Sequence, residues 1–192
     1  MNKTTGISVP NKTTGIPALN KTTGIFALAF LFGLGACKVY SFKDTSIPPE
    51  VHTIHLAYIE NRARLVNPAL APALNDALRQ KINNQASRLS QIQTSDADYD
   101  ITAWVSDYSY STSGISNQQA SSNRLSVTVH IVFKNNLDPT GKKVPPANFE
   151  ADVSRNFDFA AATSITDAEQ QLLPTITSNM TDEIFNKLFS NW

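Results

Sequence analysis

Cysteine occurs once in this chain of 192 residues, at Cys37, so no intramolecular disulfide can form and no thiolate cluster can hold a metal. Glycine is nearly as scarce where it matters. Five of the seven glycines precede Cys37, leaving Gly114 and Gly141 after it. Two isolated glycines cannot build a phosphate-cradling loop, and no GxSxG elbow of a serine hydrolase is present. Only three histidines occur, His52, His55 and His130, all on predicted strands. His52 and His55 are three apart and therefore point to opposite faces of a strand. The run Asp96, Asp98, Asp100 lacks the glycine and distal glutamate of a calcium loop, and reads as a polar strand entrance. These absences leave no catalytic set, no metal site and no cofactor site, and the chain reads as a non-enzyme. Long apolar runs are missing as well. The stretch Ile25 to Leu34 is about ten residues, whereas a membrane-crossing helix needs roughly 20.

That short apolar stretch has a recognisable setting. Lys3, Lys12 and Lys21 precede it without any acidic residue, and Gly35 and Ala36 follow it, which is the plan of a secretory signal peptide. The sequence Leu34, Gly35, Ala36, Cys37 resembles a bacterial lipobox. That resemblance implies cleavage after Ala36 and lipid on the Cys37 thiol and on the new amino terminus. A buried small side chain is the bland alternative for Cys37, but core packing gives no reason to place one at the end of a signal sequence. Residues 1–36 are thus expected to be a cleaved leader, 37–50 a lipidated tether ending in Pro48 and Pro49, and 51–192 one domain. Several acyl chains hold firmly where one gives only reversible attachment. Lys38, Val39 and Tyr40 include no aspartate, which by resemblance to sorted lipoproteins disfavours inner-membrane retention. The expected place is the periplasmic side of an outer membrane. The leader also repeats NKTTGI at residues 2, 11 and 20, a unit too short to stack as a solenoid.

Removing the leader changes the charge. Thirteen basic and sixteen acidic side chains remain after residue 36, a formal charge of −3, which argues against nucleic acid as a partner. About 156 residues suit one domain with one core.

Periodicity supplies the elements. Val51 to Ile59 alternates as a strand. Leu70, Leu74, Leu78 and Ile82 recur every four residues and stack on one helical face. Asn67 and Pro68 suit a helix start, although Pro72 in a second turn would remove a hydrogen bond, so regular helix is expected only from near Pro72. Three alternating segments follow: DYDITAWVSDYSY, RLSVTVHIVFK and NFEADVSRNFDFA. A last helix carries Leu173, Ile176, Met180, Ile184 and Leu188 on one stripe, with Phe185 and Phe189 beside it. Thr166 and Glu169 form its expected capping box, and Pro174 is expected to kink it. Strand, helix, three strands, helix reads as an α+β two-layer sandwich, with one mostly antiparallel four-stranded sheet packed by two helices on one face. A crossover makes the first strand parallel to the second.

Two stretches, SIPPEVHTIHLAYIENRARLVNPALAPALNDALRQKI at 46–82 and DEIFNKLFSNW at 182–192, closely resemble the Bacteroidetes branch of the LptE-like lipopolysaccharide-assembly lipoproteins. The resemblance extends over essentially all of 37–192 and not over the leader. It implies one sheet packed by two helices. It also implies a plug inside a large outer-membrane barrel, the LptD-like translocon, helping lipopolysaccharide reach the outer leaflet with no covalent chemistry. A lipid-anchored binding module, or a pilotin-like chaperone for another pore, is the competing reading. Proteobacterial members of the family bind lipopolysaccharide through basic residues, but no motif here matches them position by position. The strand order instead nominates Arg88, Lys142 and Lys143, whose turns lie at one end of the sheet and would form a basic tip for lipid phosphates. The polar stretch 111–123 is expected to be a loop at the opposite end.

Overall fold

The computed structural model describes residues 47–116 and 119–189, with the side chains of 115–120 outside the description. The leader and residues 37–46 of the tether, Cys37 included, therefore lie outside the described residues. The described residues fall within one compact unit, Phe42–Trp192. Its elements in chain order are β1 (Thr53–Leu56), β2 (Glu60–Asn61), α1 (Leu70–Gln85), β3 (Ser90–Ile92), β4 (Tyr99–Ser116), β5 (Gln119–Asn135), β6 (Phe149–Ala160) and α2 (Ile165–Phe189).

The fold is α+β, two helices on an open sheet, but the sheet is larger than expected. It has six mixed strands in the order β3-β1-β4-β5-β6, with β2 also pairing β4. The antiparallel β4-β5-β6 block and the parallel β1–β4 pair follow the sequence reading. β2 and β3, of two and three residues, are the additions. Neither is long enough to show a period of two, and each is a strand because β4 or β1 offers it a free edge.

The expected loop at 111–123 is instead the far part of a hairpin. β4 and β5 remain paired from Tyr99↔Asn135 to Ser116↔Gln119, with register shifts after Val105 and Thr112. Serine, threonine and asparagine are ordinary loop residues, so composition concealed a strand whose backbone bonds come from its neighbour.

Alternation and four-residue spacing meet in one core. Ile54, Leu56, Tyr99, Ile101, Val105, Leu125, Val127, Val129 and Ile131 point inward from the sheet, and Leu70, Leu74, Leu78 and Ile82 from α1 and Ile176, Met180, Ile184 and Leu188 from α2 meet them, all buried. Each such side chain contributes roughly 1.5–3 kcal/mol on burial. On the edge strand β6 the inward alternation includes Arg155, opposite Val127. Its guanidinium reaches out to Glu183 on α2, so a charge sits where the core has thinned.

Both helix starts differ from the sequence reading. α1 begins at Leu70 with Ala69 as its cap residue, and the Asn67 carboxamide oxygen accepts from the Ala69 N–H at 3.0 Å. Pro72 is then the third helical residue, where the N–H has no intrahelical partner to lose. At α2 the cap is Ser164: its Oγ accepts from the Asp167 N–H at 3.1 Å and donates to the Asp167 carboxylate at 2.7 Å. Glu169 is thereby freed. Its Oε1 accepts from the Tyr108 and Tyr110 hydroxyls at 3.0 and 2.7 Å, while Asn67 donates to the Tyr108 hydroxyl at 3.3 Å. Burial, with the Glu169 carboxylate close by, pushes the Tyr108 and Tyr110 phenols above their ordinary range. The result ties the first turn of α2 and the approach to α1 to the inner face of β4. Pro174 lies inside α2.

Candidate functional site

The end of the sheet where β1, β3 and β4 begin and β5 ends holds the residues nominated from the sequence. Strand register puts Thr53 beside Ser90, Ile54 beside Tyr99 and Tyr99 beside Asn135. Asp98 pins this end. Its carboxylate accepts from the N–H groups of His52 at 2.7 Å and Thr53 at 2.9 Å, and its own N–H donates to Thr53 Oγ1 at 2.9 Å. Burial alone raises this carboxyl, but those donors outweigh it and hold it below the ordinary carboxylate range. Asp100 pairs with His55 Nδ1 at 2.6 Å. Asp98 and Asp100 thus act as the polar strand entrance, and among the described residues no group of three or more His, Cys, Asp or Glu is placed to hold a metal.

The β5–β6 connection, 136–148, is built around Asn135, which is fully buried. Its Oδ1 accepts from the N–H groups of Leu137 and Asp138, both at 3.0 Å. Its Nδ2 donates to the carbonyls of Val144 at 2.6 Å and Pro146 at 2.9 Å. Around the outside, the Asp138 carboxylate accepts from the Lys143, Thr140 and Val144 N–H groups and the Thr140 hydroxyl. The Lys143 N–H leads in holding that carboxyl well below its usual range. Gly141 closes the turn at φ +63°, and a Cβ there would stand 2.2 Å from the Ala147 nitrogen, so only glycine fits. Lys142 and Lys143 are exposed on this framed loop.

Sequence reasoning passed over Asn135. The signal is present in Asn135-Asn136-Leu137-Asp138-Pro139-Thr140-Gly141, a run dense in turn formers.

Arg88 is exposed at the same end, in the turn before β3, with Nη2 3.4 Å from the Pro48 carbonyl. It does not join the lysines in one cluster. β1 and β4 intervene between β3 and β5, and at about 4.8 Å per strand the arginine and the lysine loop start roughly 14 Å or more apart. The three cations are spread along this end of the sheet and share it with the Asp98 and Asp138 carboxylates.

The outer face carries no helix. Its residues run in register across the strands: Glu60, Trp104, His130 and Asp152 form one row. The Arg62 guanidinium lies 4.4 Å over the Trp104 ring, His130 stacks at 4.5 Å, and His130 Nδ1 reaches Asp152 at 2.7 Å. Further along, Thr128 bonds Ser154 and Ser126 bonds Asn156, both at 2.9 Å, and Arg124 makes two bonds to Asp158. Arg124 and Asp158 pair across the strands, and Asp107, in register with Thr128, accepts from the Ser109 hydroxyl at 2.8 Å. This surface is dense in groups that can hydrogen-bond to a wall laid against it.

A family of lipopolysaccharide-assembly proteins, LptE, matches residues 51–188. This chain belongs to the LptE family. The match runs from the residue before His52 to the end of the α2 stripe, so it spans the whole folded body. No curated protein matches the sequence. Among solved structures, the LptE-family chain is similar to rare lipoprotein B from Shewanella oneidensis, at 12% identity and a TM-score of 0.45, over 71% of this chain and 93% of that one. It is similar to lipoprotein B from Nitrosomonas europaea, at 12% identity and a TM-score of 0.48, over 75% and 84% of the two chains. A putative neuraminyllactose-binding hemagglutinin homolog from Helicobacter pylori matches at 12% identity and a TM-score of 0.45, over 78% and 87%. Among the described residues no helix is long and apolar enough to cross a membrane.

Proposed function

We propose that this LptE-family protein is a lipoprotein of the outer membrane, anchored by lipid on Cys37. Its body seats as a plug in an LptD-like β-barrel through which lipopolysaccharide reaches the cell surface. The role is that of a scaffold without turnover. The observation that carries the reading is the outer sheet face, which both helices leave bare and whose side chains form rows of hydrogen-bonding groups across the strands; family membership names the process. A barrel lumen is lined by polar side chains, and a hydrogen-bonding face suits it. The lipid phosphates of the substrate are received by Arg88, Lys142 and Lys143, presented along one end of the sheet by the Asn135-framed loop and the β3 turn.

Extraction of native membranes in mild detergent is expected to bring down a large β-barrel in fixed stoichiometry with this protein. Recovery without a barrel would favour an anchored binding module or pilotin-like chaperone instead. Replacing Arg88, Lys142 and Lys143 together by alanine is expected to weaken binding to lipopolysaccharide tenfold or more, about 1.4 kcal/mol, and to flatten its salt dependence. Unchanged affinity in the folded triple variant would remove the phosphate assignment.

A further inference from the structure

α1 and α2 lie side by side on the sheet without closing the space between them. A groove of about 590 Å³ remains, within the range of small-ligand sites. It stays open because α1 turns Ala73 and Ala77, one helical turn apart, toward α2, and two methyl groups cannot fill the gap. Across from them stand Leu173, Pro174, Thr177 and Thr181. The Oγ1 atoms of both threonines are shielded from solvent and have no hydrogen-bond partner among the described residues, so these side chains present carbon to the groove. Its walls are therefore apolar. The two charges that line it, Lys81 and Asp182, meet each other at 2.7 Å and tie the helices together.

The shape and the surroundings narrow the occupant. From Ala73 to Gln85 the groove follows α1 for about 18 Å, and a lane of that length and volume is narrow. Gln80, Gln85 and Ser178 on its rim are exposed, so it opens away from the sheet, in the layer opposite the bare outer face. Beyond Gln85 the chain turns, and Arg88 follows within about 11 Å. A cation thus stands at one end of an apolar lane, which is the pattern an anionic lipid presents in reverse. A partner helix, about 10 Å across, is too wide to enter a lane of these dimensions.

We propose that this groove holds one fatty acyl chain of lipopolysaccharide, entering from the Arg88 end. The proposal rests on the lipopolysaccharide role given above, and its direction of entry rests on the assignment of the lipid phosphates to Arg88, Lys142 and Lys143. Phosphates held at Arg88 leave the acyl chains beside the protein, where the lane removes one of them from water.

The test uses the full chain in its native membranes. A photoreactive p-benzoylphenylalanine in place of Ser178, on the groove rim, is expected to give an adduct with lipopolysaccharide on irradiation. The yield should exceed at least about fivefold that from the same group in place of Asn179, which is exposed but lies about 100° round the helix and does not line the groove. Ala77→Trp places an indole in the lane and is expected to cut the Ser178 adduct by about as much, with the amount of protein in the membrane and its barrel recovery unchanged. Should Ala77→Trp fail to accumulate, the comparison of positions 178 and 179 decides alone. Equal adducts at the two positions, an adduct with phospholipid or with the barrel only, or an undiminished adduct in a folded Ala77→Trp chain would each overturn the proposal. If the Arg88, Lys142 and Lys143 triple variant loses affinity while no Ser178 adduct forms in the native chain, the groove falls and the phosphate assignment stands. If the triple variant binds normally while the Ser178 adduct persists, the phosphate assignment falls and the groove stands.

Discussion

Cys37→Ser is expected to move the protein from the membrane pellet to the soluble fraction, with its folded body intact. Among the described residues no helix is long and apolar enough to cross a membrane, and the proposed anchor is the lipid on Cys37. Each buried methylene contributes roughly 0.8 kcal/mol, and two or more chains convert reversible attachment into stable anchoring. Serine keeps nearly the same volume but lacks the thiol that accepts the lipid. The accompanying measurement is an intact mass: the native protein should begin at Cys37 and carry the added lipid, and the variant should lack it. Barrel recovery should fall with it, since an untethered body loses the high local concentration that the anchor provides. A variant that stays in the pellet would show that something other than Cys37 holds the protein there.

Asn135→Ala is expected to destabilise the fold by about 3–4 kcal/mol, seen as a lower denaturant midpoint with an unchanged slope. The side chain makes four hydrogen bonds from a fully buried position. Truncation leaves two amides and two carbonyls of the 136–148 loop without those partners, and each such group loses roughly 1–3 kcal/mol where water cannot replace the bond. Some of that loss is recovered as water enters the vacated space. The loop that presents Lys142 and Lys143 is framed by this residue, so lipopolysaccharide binding should weaken in the same variant although both lysines are intact. Alanine at Lys142 and Lys143 should do the reverse, weakening binding with stability nearly unchanged, because both are exposed. A small stability change in Asn135→Ala would mean that the Asp138 shell alone holds the loop.

The clearest parts of the sequence were those where one side chain in two or one in four must be apolar. Tyr99, Ile101, Ala103 and Val105 on β4, and Leu70, Leu74, Leu78 and Ile82 on α1, declare their element because each has one dry face. The Ser164 cap was misplaced by two residues for an understandable reason. Thr166 with Glu169 and Ser164 with Asp167 both match the capping spacing, and only packing shows that Glu169 is taken by two tyrosines on β4. Of the candidate site, the three basic residues and their common end were legible because strand order fixes which turns share an end. The spacing between Arg88 and the lysines was not, since it depends on β3 lying at the far edge beyond β1.

By itself the sequence determined the α+β class, the two helices and the antiparallel block of three strands, because these follow from local periodicity. Tertiary structure alone decided that β2 and β3 are strands, that 111–123 continues a hairpin and that Asn135 organises a loop. Those features depend on which backbone groups find a partner across the sheet, and hydrogen bonds between residues distant along the chain leave no pattern in either segment read separately.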